Sequence, residues 1–238
     1  MRIMVINPNT STAMTDNIRH TLTAVKSPDT ELTVTCPKFG PITIETAYDE
    51  AWATVYMLDL VKQANDEGYD AILLACFADP GLVAAREVSR IPVIGIAEAT
   101  MHMACMLGAK FTLIAPRKER VASKYEHVSR VGVESKLASV RSLNMTVAQT
   151  EADPERTKAR AFELAQQAAE EDGAEVIILG CAGMAGYAKE IEDKLGIVVL
   201  EPSAVGLKIA EATASLGLKH SKRAYYSIPP KKEFKGKD

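Results

Sequence analysis

Two cysteines carry the chemistry this sequence offers. Cys76 closes an apolar run led by Asp70 and ending in Ala75, and Cys181 closes a second run led by Glu175 and ending in Gly180. The runs align position by position at a separation of 105 residues. Their upstream flanks align too: Asp66-Glu67-Gly68 and Glu171-Asp172-Gly173 each read as a helix end closed by glycine. A thiol donates a proton and a thiolate accepts one. One such group on each side of a carbon acid lets the carbon lose a proton to one face and regain one on the other, which inverts the centre with no cofactor. Placement between a strand end and a helix start biases a cysteine toward the thiolate, through free N–H groups and the positive end of the helix dipole. The N–H groups of Phe77 and Ala78, and of Ala182 and Gly183, then stand where enolate charge develops. A lone cysteine at a strand end reads more readily as a small core hydrophobe. Recurrence at the same place in both halves favours chemistry, whereas Cys36 and Cys105 have no counterpart and read as structural.

The elements that hold these cysteines follow from periodicity and punctuation. In the first half, strands are expected at 2–6, 32–35, 71–75 and 92–96, with helices at 12–25, 48–67, 80–89 and 100–107. Asp79-Pro80 reads as the cap and first position of the helix after Cys76. The pattern then restarts, Lys110 to Arg117 echoing Arg2 to Asn9. Helices are expected at 119–130, at 153–172 behind Asp153-Pro154, after Cys181 and at 202–215, with strands at 138–143, 176–179 and 197–200. Strands alternating with helices, their interiors continuous apolar runs, predict parallel sheets covered on both faces. The expected fold class is therefore α/β: two similar domains related by a pseudo-twofold axis, each a roughly four-stranded parallel sheet flanked by helices. Residues 1–98, joined by 206–238, form one domain and 99–205 the other. Ligands of such sheets sit beyond the carboxyl ends of the strands, so Asn7–Ser11, Cys76, Pro116-Arg117 and Cys181 are expected around one cleft between the domains.

Composition bounds the rest. The 238 residues are 47% hydrophobic and 25% charged with a net charge of −3, which gives no electrostatic case for a nucleic-acid or membrane partner. No apolar run is long enough to span a bilayer. The chain opens directly on a strand without an export signal, so a cytoplasmic, reducing location is expected and a structural disulfide is not. The basic end at 231–237 reads as solvated. No CxxC spacing occurs, and His102 and His127 have no companion ligands, so no metal site is expected.

Other candidates are weighed against plainer roles. Asn9 is placed to hydrogen-bond a substrate carbonyl or, with Asn7, to shape the loop. Tyr48 and Glu45 follow the loop at Gly40-Pro41 and either reach the cleft or lie on the surface, and Arg117 contacts ligand or solvent. Trp52 and Met57 share helical spacing and read as core.

The motifs NPNTS at 7–11, ACFADPGL at 75–82, PVIGIAE at 92–98 and LGCAGM at 179–184 resemble the hydantoin and allantoin racemases of the aspartate/glutamate racemase superfamily, and the resemblance runs from residue 1 to about 216. It implies cofactor-independent racemisation of 5-monosubstituted hydantoins, with Cys76 and Cys181 as the acid/base pair, and a homo-oligomer. Amino-acid racemases of the superfamily carry Asn-Thr after the cysteine; here Phe77-Ala78 and Ala182-Gly183 follow, a lining suited to a neutral hydantoin-like ring. Arylmalonate decarboxylases use one cysteine, in the second half, so Cys76 speaks against that activity. Allantoin is the alternative substrate. An aspartate or glutamate racemase, a non-enzymatic binding protein and a redox-responsive Cys76–Cys181 pair are the further readings.

Overall fold

The computed structural model describes every residue except 182, 183, 185 and 233–238. The first half runs β1 (Arg2–Ile6), α1 (Thr12–Val25), β2 (Glu31–Thr35), α2 (Ala47–Asp66), β3 (Ala71–Leu74), α3 (Leu82–Val88), β4 (Val93–Gly95) and α4 (Ile96–Leu107). The second runs β5 (Phe111–Ala115), α5 (Val121–Val131), β6 (Leu137–Ser142), α6 (Val147–Ala152), α7 (Pro154–Glu171), β7 (Val176–Leu179), α8 (Ala188–Leu195), β8 (Val198–Leu200) and α9 (Pro202–Ser215). All strand pairs are parallel, in two four-stranded sheets of equivalent order, β2-β1-β3-β4 and β6-β5-β7-β8. This is the expected α/β class.

The central strands are buried along their whole length, and the strand period of two sorts their side chains between layers. Ile3, Val5, Ala71 and Leu73 point into an apolar core shared by both sheets, together with Phe111, Leu113, Val176 and Ile178. The alternate residues face outward. Met4, Ile6, Ile72 and Leu74 pack under α2 and α3, while Ile114, Ile177 and Leu179 pack under α7 and α8. Two helices fill the shared layer. α4 and α9 pack on each other, and each also crosses to the opposite sheet, α4 onto β7 and β8, α9 onto β3 and β4.

Local signals place most boundaries. Ser11 caps α1 by accepting from the Met14 N–H at 3.2 Å, and Asp153 caps α7 with Pro154 at its first turn. Thr46 and Asp49 form a capping box at α2.

The structure departs from or adds to the sequence reading in four places. The helix after Cys76 starts at Leu82, not Pro80, and Asp79 does not cap it. Asp79 adopts φ 47°, and its carboxylate accepts instead from the N–H groups of Ala97 (3.2 Å) and Glu98 (2.8 Å) at the start of α4. Gly95 is what admits it, because a Cβ there would lie 2.5 Å from the Asp79 carboxyl carbon. α6 was not anticipated; Thr146 and Gln149 cap it reciprocally. Trp52 is not core: the residue is 46% exposed and its ring stacks on Tyr56, while Met57 is fully buried. Residues 220–226 fold back onto the first half. His220 accepts from the Val93 N–H (2.8 Å), Lys222 donates to the Arg86 and Glu87 carbonyls, and Arg86 reaches the Tyr226 hydroxyl (3.1 Å), fastening them there. Of the basic end, 233–237 lies outside the described residues.

Candidate active site

Strand register decides which loops meet. Ile6 pairs with Leu74, so the chain leaves β1 into Asn7 and Asn9 beside the point where it leaves β3 into Ala75 and Cys76. Ile114 pairs with Leu179, which sets Pro116 and Arg117 beside Gly180 and Cys181 in the same way. All four strand ends open on one cleft of about 710 Å³, including its mouth. Asn9, Cys76, Phe77, Ala78, Arg117 and Cys181 line it. Ala182 and Gly183 lie outside the described residues. Among the described residues, none of the four cysteines is joined in a disulfide.

Cys76 does not sit on a helix N-terminus. A turn over 77–81 separates it from α3, and the N–H that reaches its sulfur is that of Ala78. Burial pushes the Cys76 thiol up to about 12, against the pull of this N–H and of the Lys124 charge, while Asp79 and Glu50 push the same way as burial. Phe77 is buried, and its ring lies across to the second half at Gly180. A Cβ at Gly180 would come within 3.2 Å of that ring and 3.0 Å of the Ile114 carbonyl. The small residue ahead of Cys181 is thus a point of contact between the halves.

Asn9 both faces the cleft and shapes its loop. Its Oδ1 accepts from Asn7 Nδ2 (2.7 Å) and the Ser11 N–H (2.9 Å), and its Nδ2 lies 3.1 Å from Met14 Sδ. Arg117 is ion-paired with Glu45 at 2.9 Å and, more loosely, with Glu119 at 3.3 Å. Tyr48 is not brought to the cleft. On the first turn of α2 it points outward, 71% exposed, with its ring edge against Trp52. Glu45, two residues before α2, does line the cleft. Asp79 and His127 lie behind Cys76, 3.7 Å apart. Burial raises Asp79 to about 6 and lowers His127 to about 3, so the histidine is a neutral packed side chain. Among the described residues no group of three or more His, Cys, Asp or Glu side chains is placed to hold a metal ion, and no helix is long and apolar enough to cross a membrane.

Sequence reasoning missed most of the walls. Met14, Ile44 and Val147 form apolar patches, and Glu50, Arg120 and Lys124 bring charge. Arg120 belongs to a 3₁₀ turn, Lys118–Arg120, ahead of α5, and pairs with Glu50 of α2 across the cleft. Lys124 is buried on the same face of α5 as Val128 and donates to the Phe77 carbonyl at 2.9 Å. Its signal was present: a lysine three residues after Val121 and four before Val128 interrupts an apolar stripe.

Comparison with known proteins finds relatives along nearly the whole chain. Residues 3–210 match the family described as Asp/Glu/Hydantoin racemase. The chain is 40% identical to a hydantoin racemase of Pseudomonas sp. (strain NS671), over 99% of this chain and 95% of that one. It is 37% identical to a hydantoin racemase of Paenarthrobacter aurescens, over 98% of this chain and all of the relative. Among solved structures, an allantoin racemase from Klebsiella pneumoniae superposes with a TM-score of 0.95 at 36% identity, covering 99% of this chain and 96% of that one.

Proposed function

The chain belongs to the Asp/Glu/hydantoin racemase family, and from that membership we propose that it interconverts the enantiomers of 5-monosubstituted hydantoins through Cys76 and Cys181. The observation that carries this reading is that the two cysteines, at equivalent strand ends of duplicated halves, line one cleft. In one direction a thiolate on one side takes the proton from the ring C5. The electron pair of the C–H bond delocalises onto the adjacent carbonyl, and the thiol on the other side delivers a proton to the opposite face. The thiolate ends on the second cysteine, so the reverse reaction starts from the product state. Asn9, with its Oδ1 engaged inside the loop, offers an amide hydrogen to a ring carbonyl. No step calls on a cofactor.

The apolar walls favour hydrocarbon substituents at C5. Met14, Ile44, Phe77 and Val147 offer a benzyl or isobutyl group dispersion contacts, whereas the ureido group of allantoin loses water there and needs several partners in return. The likeness to allantoin racemases in fold and sequence keeps allantoin as the second substrate to assay.

Incubating one enantiomer of 5-benzylhydantoin with the protein in D₂O tests the reading. Optical rotation decays to zero with deuterium appearing at C5, faster than in an enzyme-free control, and allantoin turns over more slowly. Rotation that decays no faster than the control for a panel of hydantoins and allantoin refutes it.

A further inference from the structure

The charged side chains facing the cleft are Glu45, Glu50, Arg117, Arg120 and Lys124. Four of them cancel in pairs, Arg117 with Glu45 and Arg120 with Glu50. The fifth has no carboxylate within ion-pair distance among the described residues, although the Glu50 and Asp79 charges favour its ammonium from farther off, and it donates to the Phe77 carbonyl. A lysine is almost never this deeply buried without a paired charge. Proton transfer between two thiols supplies one. The reacting groups carry a single negative charge in every state: a thiolate facing a thiol, then an enolate between two thiols, then a thiolate on the other side.

We propose that Lys124 is the fixed counter-ion of that migrating charge, the positioning residue that makes the Cys76 thiolate available. The inference rests on the reading of Cys76 as one of the two bases. Geometry supports it in two ways. The carbonyl that holds Lys124 belongs to the residue following Cys76, so ammonium and sulfur are tied to one backbone turn. The ammonium also lies 5.2 Å from the centre of the Phe77 ring, which shields it from solvent. The surrounding charges add no rival cation. Arg120 is neutralised by Glu50, His127 on the same helix is uncharged, and Asp79 and Glu50 oppose the thiolate rather than assist it. Burial alone disfavours both the thiolate and the ammonium, and each favours the charged form of the other, so they form together.

The test reads the sulfur itself. The rates at which Cys76 and Cys181 of the full-length protein are alkylated by iodoacetamide at pH 8 are quantified separately by peptide mass. In Lys124→Met, which keeps the length of the chain and removes the charge, the Cys76 rate falls about tenfold or more while kcat/KM for 5-benzylhydantoin falls at least about tenfold. Lys124→Arg restores most of both. Lys124→Gln gives the same losses and keeps the test available if the methionine variant fails to fold. A Cys76 rate unchanged in the neutral variants, or an arginine variant that recovers no more than methionine does, overturns the proposal. Because alkylation needs no turnover, this result is separate from whether the protein racemises hydantoins.

Discussion

The loops that follow β1 and β5 occupy equivalent places and do opposite things. The first is tied to itself. Asn7 Nδ2 reaches Asn9 Oδ1 (2.7 Å) and Thr15 Oγ1 (3.0 Å), so its amides form a closed knot over the start of α1. The second is tied to the other half, through Arg117 to Glu45 and through Arg120 to Glu50. The turns after the two cysteines differ as well. The position equivalent to Asp79 is Met184, a fully buried core side chain, so only the turn after Cys76 carries a carboxylate to the helix that follows its sheet. Duplication has kept the strand and the thiol in each half, while the surroundings have divided the labour. One loop presents a rigid wall, and the other clasps the cleft.

The sharpest way to break this comparison is to remove the thiols one at a time. Cys76→Ser and Cys181→Ser each lower racemisation by at least about a thousandfold, because the acid and the base are both needed to invert a centre. The enantiomers have equal free energy, so kcat/KM falls equally in both directions. Deuterium exchange separates the halves: each variant retains one thiol and exchanges C5 hydrogen only of the enantiomer that presents it to that side, with retention of configuration. Racemisation within a factor of ten of wild type in either variant removes that cysteine from the mechanism.

A smaller effect is expected from opening the clasp. Arg117→Ala raises KM for 5-benzylhydantoin about threefold to tenfold with kcat less affected, because the ion pair to Glu45 shapes the mouth rather than the reacting centre. Glu45→Ala does the same, and the double variant is no worse than either alone. Additive losses show that the two act separately on the ligand.

How much of this was legible depends on how local the cause is. The bounds of α1 follow from apolar spacing behind Ser11, and those of α7 from Asp153-Pro154, since caps and prolines act on their own turn. The strand–cysteine repeat is visible because it is contiguous. Asp79 misled for the same reason: Asp-Pro reads as a local cap, whereas its partners are N–H groups 18 and 19 residues away, brought near by the pairing of β3 with β4. The Arg120–Glu50 clasp spans 70 residues and leaves no periodic trace. Tyr48 and Trp52 carry helical spacing but turn outward, because Ala53, Met57, Val61 and Ala64 already form the buried stripe of α2.

The subtlest contrast concerns the two helices exchanged between sheets. Each is fastened to the first half by a buried carboxylate, α4 by Asp79 and α9 by Glu211, and these two titrate in opposite directions. Burial raises Asp79 to about 6 from an ordinary value of 3.8. Burial also acts to raise Glu211, but Lys208 and the N–H and hydroxyl of Ser27, both at 2.7 Å, outweigh it and take the group down to about 2. A depressed carboxylate stabilises the fold fully above its unfolded value of 4.5 and loses that contribution as pH falls toward 2. Asp79 runs the other way, favouring the fold below 3.8 and losing that contribution as pH rises through 6. Glu211→Gln is therefore expected to cost about 2–3 kcal/mol at pH 7 and much less at pH 3, read as the gap between variant and wild-type urea midpoints. The buried histidines His127 and His220 are common to both proteins and cancel in that difference. A gap that stays constant from pH 7 to pH 3 means that α9 is held by packing against β3 and β4 and not by its carboxylate.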